Sequence, residues 1–170
     1  MTERKRSLMK EYSLTPKTIN YKAIQHERCE DAPFVGALIS ACDCKFNCPH
    51  CFNQGLKEMP TVSKSPIEII QAIKNNPFNR GIIFGGLEWS LQINECIALA
   101  RVAKAQGLQT MVYTGCNFNS YMVQQYIKSN VFDYIKCGRY EEHNKTINHI
   151  EYGIVLASNN QHVYKRGTDY

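Results

Sequence analysis

The sequence lacks any run of about 20 apolar residues, the length that an α-helix needs to cross a bilayer. Its first residues, MTERKRSLMKEYS, are basic, but the apolar stretch of a secretory signal peptide does not follow them. The chain also lacks internal repeats and low-complexity tracts, and it holds a single tryptophan. These absences predict a cytoplasmic protein with no membrane partner and no repeat architecture.

The composition is that of a globular protein, because 44% of the 170 residues are hydrophobic and 21% are charged. The net charge is +5, and residues 1–28 hold seven Lys or Arg against three Glu. This basic segment is either an arm for nucleic acid or an acidic partner, or a solvated terminus. We favour the solvated terminus and expect no nucleic-acid partner. The chain is thus divided into a basic segment, 1–28, and one domain, 29–170.

Four of the eight cysteines lie in the stretch CDCKFNCPHC, from Cys42 to Cys51. Without an export signal their thiols should be reduced, which disfavours disulfides. Structural zinc usually joins two separated cysteine pairs, whereas these thiols share one short loop. The spacing Cys44-x3-Cys48-x2-Cys51 lets three thiolates hold three irons of a [4Fe-4S] cluster and leaves the fourth iron open. We favour this cluster over zinc, and Cys42 is either a core residue or a spare thiol beside it.

Apolar runs of strand length alternate with amphipathic stretches of helix length along the chain. The predicted strands are Phe34–Ser40, Arg80–Phe84, Leu108–Gly115, Asp133–Gly138 and Glu151–Ser158. The predicted helices run from Ser65 to Asn75, from Gln92 to Gln106 and from Ser120 to Asn130. This alternation predicts an α/β fold with a parallel sheet.

Unusual motifs follow the first four predicted strands, and the carboxyl ends of parallel strands meet at one edge of a sheet. These motifs are the cysteines, Gly85-Gly86-Leu87-Glu88, Thr114-Gly115-Cys116 and Gly138-Arg139-Tyr140. We expect them to share one rim, with Cys116 and Cys137 facing a cavity there. The two histidines of HNKTINH, His143 and His149, are expected in a solvent-exposed loop.

The pattern C-x3-C-x2-C after a first strand, with Gly-Gly and an acidic residue after a second, resembles the radical S-adenosylmethionine superfamily. Within it the chain is most similar to the anaerobic ribonucleoside-triphosphate reductase activating proteins, which are glycyl-radical activating enzymes. The resemblance covers residues 35–165 and is carried by CPHCFNQ (48–54), FGGLE (84–88), VYTG (112–115), DYIKCGRYEE (133–142) and SNNQHVY (158–164). The chain departs from the usual pattern of this family at two positions. Leu87 separates the two glycines from the acidic residue Glu88, and His50 stands directly before the third cysteine of the motif.

The resemblance implies an α/β fold in the form of an incomplete (β/α) barrel of mostly parallel strands. It implies a [4Fe-4S] cluster and S-adenosylmethionine as cofactors, with reductive cleavage of the latter to methionine and a 5'-deoxyadenosyl radical. It assigns Cys44, Cys48 and Cys51 to the cluster, and Gly85, Gly86, Glu88, His50 and Thr114 to S-adenosylmethionine. No further catalytic side chain is expected beyond these cofactors.

The partners implied by the resemblance are the large glycyl-radical subunit of an anaerobic ribonucleotide reductase and an electron donor such as flavodoxin. A radical would be placed on a glycine Cα of that subunit. Two alternatives remain: the same chemistry on a small nucleobase-like substrate, and a zinc-binding interaction module without enzymatic activity.

Overall fold

The structure is a computed structural model that describes residues 16–170, and ten strands and three α-helices make up about half of these residues. Strands β1 to β10 are Ile19–Tyr21, Ile24–Arg28, Gly36–Ser40, Val62–Lys64, Gly81–Gly85, Gln109–Tyr113, Tyr134–Cys137, Lys145–Glu151, Ile154–Ser158 and His162–Lys165. Helices α1 to α3 are Pro66–Lys74, Ile93–Ala105 and Tyr121–Ser129. Short 3-10 helices lie at Gln54–Glu58, Trp89–Gln92 and Glu142–Asn144.

Six strands form the main sheet in the order β10-β7-β6-β5-β3-β2. Neighbouring strands among β3, β5, β6 and β7 are parallel, whereas β2 and β10 close the two edges antiparallel. Helices α1, α2 and α3 alternate with the parallel strands along the chain. The predicted α/β class is confirmed, and the mostly parallel, alternating order agrees with an incomplete barrel.

Local signals place the helix ends close to their predicted positions. Before α1, Ser65 Oγ accepts the Glu68 N–H at 3.3 Å, and Glu68 Oε2 accepts the Ser65 N–H at 2.9 Å. This capping box satisfies donors that have no partner inside the helix. After α2, Gly107 takes a φ of +78°, the left-handed conformation that commonly ends a helix.

The two faces of the main sheet are covered by different elements. On one face, Ile82 and Phe84 of β5 belong to the larger core, together with buried residues of all three helices. On the other face, Ile83 packs in a smaller cluster that includes Ile154 and Leu156 of β9. β8 and β9 form an antiparallel pair of their own, so this hairpin covers the face that the helices leave free.

This hairpin corrects the prediction for the segment 151–158. A strand does form there, but it pairs antiparallel with β8 instead of joining the parallel sheet. Alternating apolar residues in a sequence indicate a strand, but they do not identify the strand with which it pairs. The predicted sheet for this segment is therefore wrong. β1 and β2 were also missed, and both lie in the segment predicted as a basic terminus. Residues 1–15 of that segment lie outside the described residues.

Candidate active site

The cysteine loop, residues 41–53, leaves the carboxyl end of β3 and carries four cysteines. The side chains of Cys42, Cys44, Cys48 and Cys51 are all partly buried. All eight cysteines of the chain, which lie within the described residues, carry free thiols. The loop is therefore a set of unpaired sulfur ligands next to the sheet rim, and the structure holds no disulfide among them.

Left-handed backbone conformations shape the loop around Cys48. Asn47 and His50 have φ angles of +47° and +55°, which non-glycine residues rarely adopt. The Cys51 N–H donates to the Cys48 carbonyl at 3.3 Å and closes a tight turn between them. The two left-handed residues bracket Cys48 and reverse the chain there, so three cysteines fit on one compact loop.

The cysteine loop is fastened to the loops that follow other strands. The Glu88 N–H donates to the Asp43 carbonyl at 2.9 Å, and Arg139 Nη2 donates to the Phe46 carbonyl at 3.2 Å. A Cβ added to Gly115 would lie 2.6 Å from the Phe46 ring. The loops after β5, β6 and β7 thus all contact the cysteine loop, and the prediction of one shared rim is confirmed.

Cys44 lies deeper than the other two cysteines of the C-x3-C-x2-C motif. Its side chain packs against the larger core, and burial raises the pKa of its thiol. Lys57 Nζ donates to the Cys44 carbonyl at 2.6 Å and holds the backbone of the loop at this point. A metal that binds this sulfur as a thiolate would have to offset the cost of ionising the partly buried thiol.

A cavity of about 1000 Å³ lies between the rim of the sheet and the β8–β9 hairpin. Its volume is at the upper end of the range for small-molecule sites. Of the predicted site residues, the cavity lining includes Cys48, Cys51, His50, Gly85 and Gly86. Cys44, Glu88 and Thr114 are not part of the lining. The cavity therefore joins the cysteine loop to the two glycines.

Gly86 occupies a position beside Ser40 where any side chain would be strained. Its φ is +72°, and an added Cβ would lie 2.4 Å from Ser40 Oγ. The same Ser40 Oγ is buried and lacks a hydrogen-bond partner among residues 16–170, while Ser40 itself lines the cavity. A buried polar atom without a partner is costly, and here it lies against Gly86, which also lines the cavity.

Glu88 and Thr114 lie behind the cavity in a hydrogen-bonded network. Glu88 Oε1 accepts the Ser90 N–H at 3.1 Å and the Thr114 hydroxyl at 2.8 Å. Glu88 Oε2 accepts the Gly115 N–H at 2.8 Å. The buried carboxylate thereby joins the loops after β5 and β6. These contacts give both residues a positioning function, and direct contact of either with a cofactor stays a prediction.

Lys136 is a site residue that sequence reasoning missed. It is buried in β7 and lines the cavity, and its Nζ donates to the Gly138 carbonyl at 2.9 Å. Nζ also lies 5.7 Å from the centroid of the Tyr113 ring. Burial lowers the pKa of this lysine to about 8. The sequence does contain a signal for the burial of Lys136, because this lysine lies between the apolar residues Ile135 and Cys137 in a predicted strand.

Three other expectations about side chains change in the structure. Cys116 and Cys137 do not line the cavity, and the buried Cys137 belongs to the larger core. The predicted orientation of Cys137 is wrong because the alternation of β7 turns Lys136, not Cys137, toward the cavity. Cys116, in the loop after β6, packs partly buried against the larger core. His149 lies in strand β8 rather than in an exposed loop, whereas His143 is exposed as expected.

The residues of this site fit an iron-sulfur cluster with an adjoining organic cofactor. Three free thiols supply the soft ligands, while the cavity supplies an unpaired hydroxyl, a glycine without room for a side chain and a buried cation. The donor set argues against a closed zinc site, since Cys48 and Cys51 face a large cavity instead of a closed ligand shell.

Comparison with known proteins agrees with this chemistry. Residues 35–164 match the model of a family described as a 4Fe-4S single cluster domain, and this match spans more than half of the chain. No curated protein matches the sequence at a significant level. Within residues 16–170, no helix combines the length and the apolar character that a membrane span requires.

Proposed function

The chain belongs to the family of 4Fe-4S single cluster domains of radical S-adenosylmethionine type, and from this we propose that it is a glycyl-radical activating enzyme. Its cofactors are a [4Fe-4S] cluster and S-adenosylmethionine. We propose that its substrate is a glycine in the large subunit of an anaerobic ribonucleotide reductase. Family membership supports the cofactor chemistry, and the open cavity with its exposed apolar side chains supports the substrate.

One observation carries the proposal: a single open cavity joins the cysteine loop to Gly85 and Gly86 and reaches exposed apolar side chains. Phe52 lines this cavity and is 95% exposed, and Val155 lines it and is 62% exposed. Large apolar side chains left in water next to a site are typical of surfaces that bind another protein. A glycine loop of a partner subunit could therefore cover them as it enters.

Three residues of the cysteine loop would hold the cluster. Cys44, Cys48 and Cys51 would bind three of its irons and leave the fourth open to S-adenosylmethionine. Cys48 and Cys51 line the cavity directly, so the open iron would face it. Arg139 and Lys57 donate to carbonyls of the loop and would keep the three sulfur ligands in place.

Four residues along the cavity would bind S-adenosylmethionine. The methionine part carries a carboxylate, and Lys136 offers a buried positive charge for it. Ser40 Oγ offers an unpaired hydroxyl, and Gly86 lets the backbone approach the ligand closely. His50, exposed on the cysteine loop, could stack on the adenine ring.

When bound, the reduced cluster and S-adenosylmethionine supply a carbon-centred radical that takes a hydrogen atom from the substrate. The protein's own contribution is to hold the cofactor, orient it and exclude water. The β8–β9 hairpin forms one wall of the cavity with Ile154 and Leu156, both buried. A docked partner would close the remaining opening and protect the radical from solvent.

The experiment that tests the substrate assignment uses the partner itself. The cluster-loaded protein is mixed anaerobically with the large reductase subunit, S-adenosylmethionine and dithionite or reduced flavodoxin. We expect an electron paramagnetic resonance doublet from a glycyl radical, which is lost when the radical-bearing glycine of the partner is changed to alanine. Cleavage of S-adenosylmethionine without a glycyl radical would overturn the assignment and favour a small-molecule substrate, which the cavity of about 1000 Å³ would also admit.

A further inference from the structure

Two histidines and a glutamate come together outside the cysteine loop. His149 and Glu151 are two residues apart in β8 and so lie on the same face of the strand. His162 is the first residue of β10, at the edge of the main sheet. The three side chains therefore join the β8–β9 hairpin to the main sheet, across a chain segment that contains β9.

The ligand atoms of these residues point to one place. His149 Nε2 lies 2.9 Å from Glu151 Oε1, and His162 Nδ1 lies 2.8 Å from the same oxygen. One nitrogen of each ring and the carboxylate oxygen all lie within 4.8 Å of one another. Ligand bonds to zinc are about 2.0–2.2 Å long, so a cation between these atoms needs only small side-chain adjustments.

The carboxylate is held in its orientation by the backbone. Glu151 Oε2 accepts the Val163 N–H at 2.7 Å, which leaves Oε1 directed at the two rings. In metal sites, hydrogen bonds of this kind from outside the ligand shell orient the ligands and are part of the site. The hydrogen bond from Val163 therefore holds Glu151 Oε1 in a position that faces both histidine rings before any cation binds.

The ring of His149 is partly buried and faces the site through one nitrogen only. Its Nδ1 is buried and has no hydrogen-bond partner among the described residues. Nε2 is therefore the nitrogen through which this ring would bind a cation. On binding, each neutral ring would carry its proton on the nitrogen that does not face the cation.

The site is accessible and separate from the cavity. The side chains of His149, Glu151 and His162 are 19%, 26% and 47% exposed, so solvent reaches the site from the side of His162. The cavity lining includes none of the three. A cation could enter here without passing the cysteine loop, and a water molecule could complete its coordination.

We propose that His149, Glu151 and His162 bind one divalent transition-metal cation of the zinc class. Two imidazole nitrogens and one carboxylate oxygen are ligands that zinc accepts, and calcium or magnesium would prefer oxygen ligands. The cation fastens the β8–β9 hairpin to β10 and so stabilises one wall of the cavity. This proposal does not depend on the proposed function.

The test is a zinc titration of the cluster-loaded protein, in which Cys44, Cys48 and Cys51 are occupied. Competition with a chromophoric chelator measures affinity, and metal analysis after gel filtration measures stoichiometry. The wild type is compared with His162→Asn, chosen because this side chain is half exposed, and with Glu151→Gln, which retains an acceptor for the Val163 N–H. His143→Asn, a change of another exposed histidine, is the matched control.

We expect one zinc ion per chain in the wild type and in His143→Asn. In His162→Asn and Glu151→Gln, affinity should fall at least about tenfold. Zinc should raise the melting temperature of the wild type and not that of the two site variants. No stoichiometric zinc in the wild type, or equal affinity in the site variants, would overturn the proposal. The three side chains would then only form hydrogen bonds that join the hairpin to β10.

Discussion

Lys136 Nζ lies 5.7 Å from the centroid of the Tyr113 ring, and both side chains line the cavity beside the cysteine loop. The aromatic face and the Gly138 carbonyl partly compensate a charge that is otherwise removed from water. A buried lysine with a lowered pKa is typical of a functional site. The pair therefore marks the part of the cavity where a ligand with a negative charge is expected.

Replacing Lys136 by Met should weaken the binding of S-adenosylmethionine while leaving the cluster in place. Loss of one charged hydrogen bond to a carboxylate corresponds to roughly 10- to 100-fold in affinity. Calorimetry on the cluster-loaded protein measures this, with iron and sulfide content as the check on loading. Lys64→Met, a change of an exposed lysine, should bind as the wild type does. Unchanged affinity in Lys136→Met would remove this residue from the site.

The lowered pKa of Lys136 also predicts how stability depends on pH. The folded pKa is about 8 and the ordinary value is 10.5, so between them the unfolded chain binds more protons. Stability from this group therefore rises with pH, because the buried lysine loses its charge. Relative to Lys136→Met, the cluster-free wild type should gain ~2 kcal/mol between about pH 7 and about pH 9.5. Denaturant unfolding at several pH values measures this gain. The prediction is refuted if the free energies of unfolding of the two proteins change in parallel with pH.

Gly86→Ala should destabilise the protein, whereas Gly85→Ala should be tolerated by the fold. At Gly86 the φ is +72° and the new Cβ would lie 2.4 Å from Ser40 Oγ, but at Gly85 the nearest atom is 3.6 Å away. Strain of this kind costs on the order of 1–3 kcal/mol. The free energy of unfolding of both variants decides the point. Equal stability would mean that the close approach of Gly86 to Ser40 imposes no constraint.

Glu88→Gln should lower stability by roughly 1–3 kcal/mol, because the new amide nitrogen cannot accept a hydrogen bond from Ser90, Thr114 or Gly115. Glu58→Gln, a change of an exposed glutamate, is the control and should leave stability within about 0.5 kcal/mol. Thermal unfolding of the two variants measures the difference. A Glu88→Gln variant as stable as the control would show that this buried network does not hold the two loops together.

Local features of the structure could be predicted from the sequence because their causes are local. Ser65 and Glu68 form a capping box from residues three apart, and the C-x3-C-x2-C spacing lies within one loop. The element types were predicted because the spacing of apolar residues is a local pattern. The shared rim was predicted because the carboxyl ends of parallel strands meet at one edge of a sheet.

Features that depend on distant pairing were missed. Lys136 was missed although apolar residues flank it in the sequence, because its contact with Tyr113 depends on the pairing of β7 with β6. His162 meets His149 only because β10 joins the edge of the sheet and the hairpin folds over it, whereas the sequence placed His149 with His143 in an exposed loop. No short-range pattern records either contact.

The most direct test of the account measures the cleavage of S-adenosylmethionine by the protein alone. The chain is loaded with iron and sulfide without oxygen, S-adenosylmethionine and dithionite are added, and 5'-deoxyadenosine is quantified. We expect product from the wild type and from Cys29→Ala, which changes an exposed cysteine outside the cysteine loop, and none from Cys48→Ala. Absence of product from a wild-type protein with a verified four-iron cluster would contradict the account.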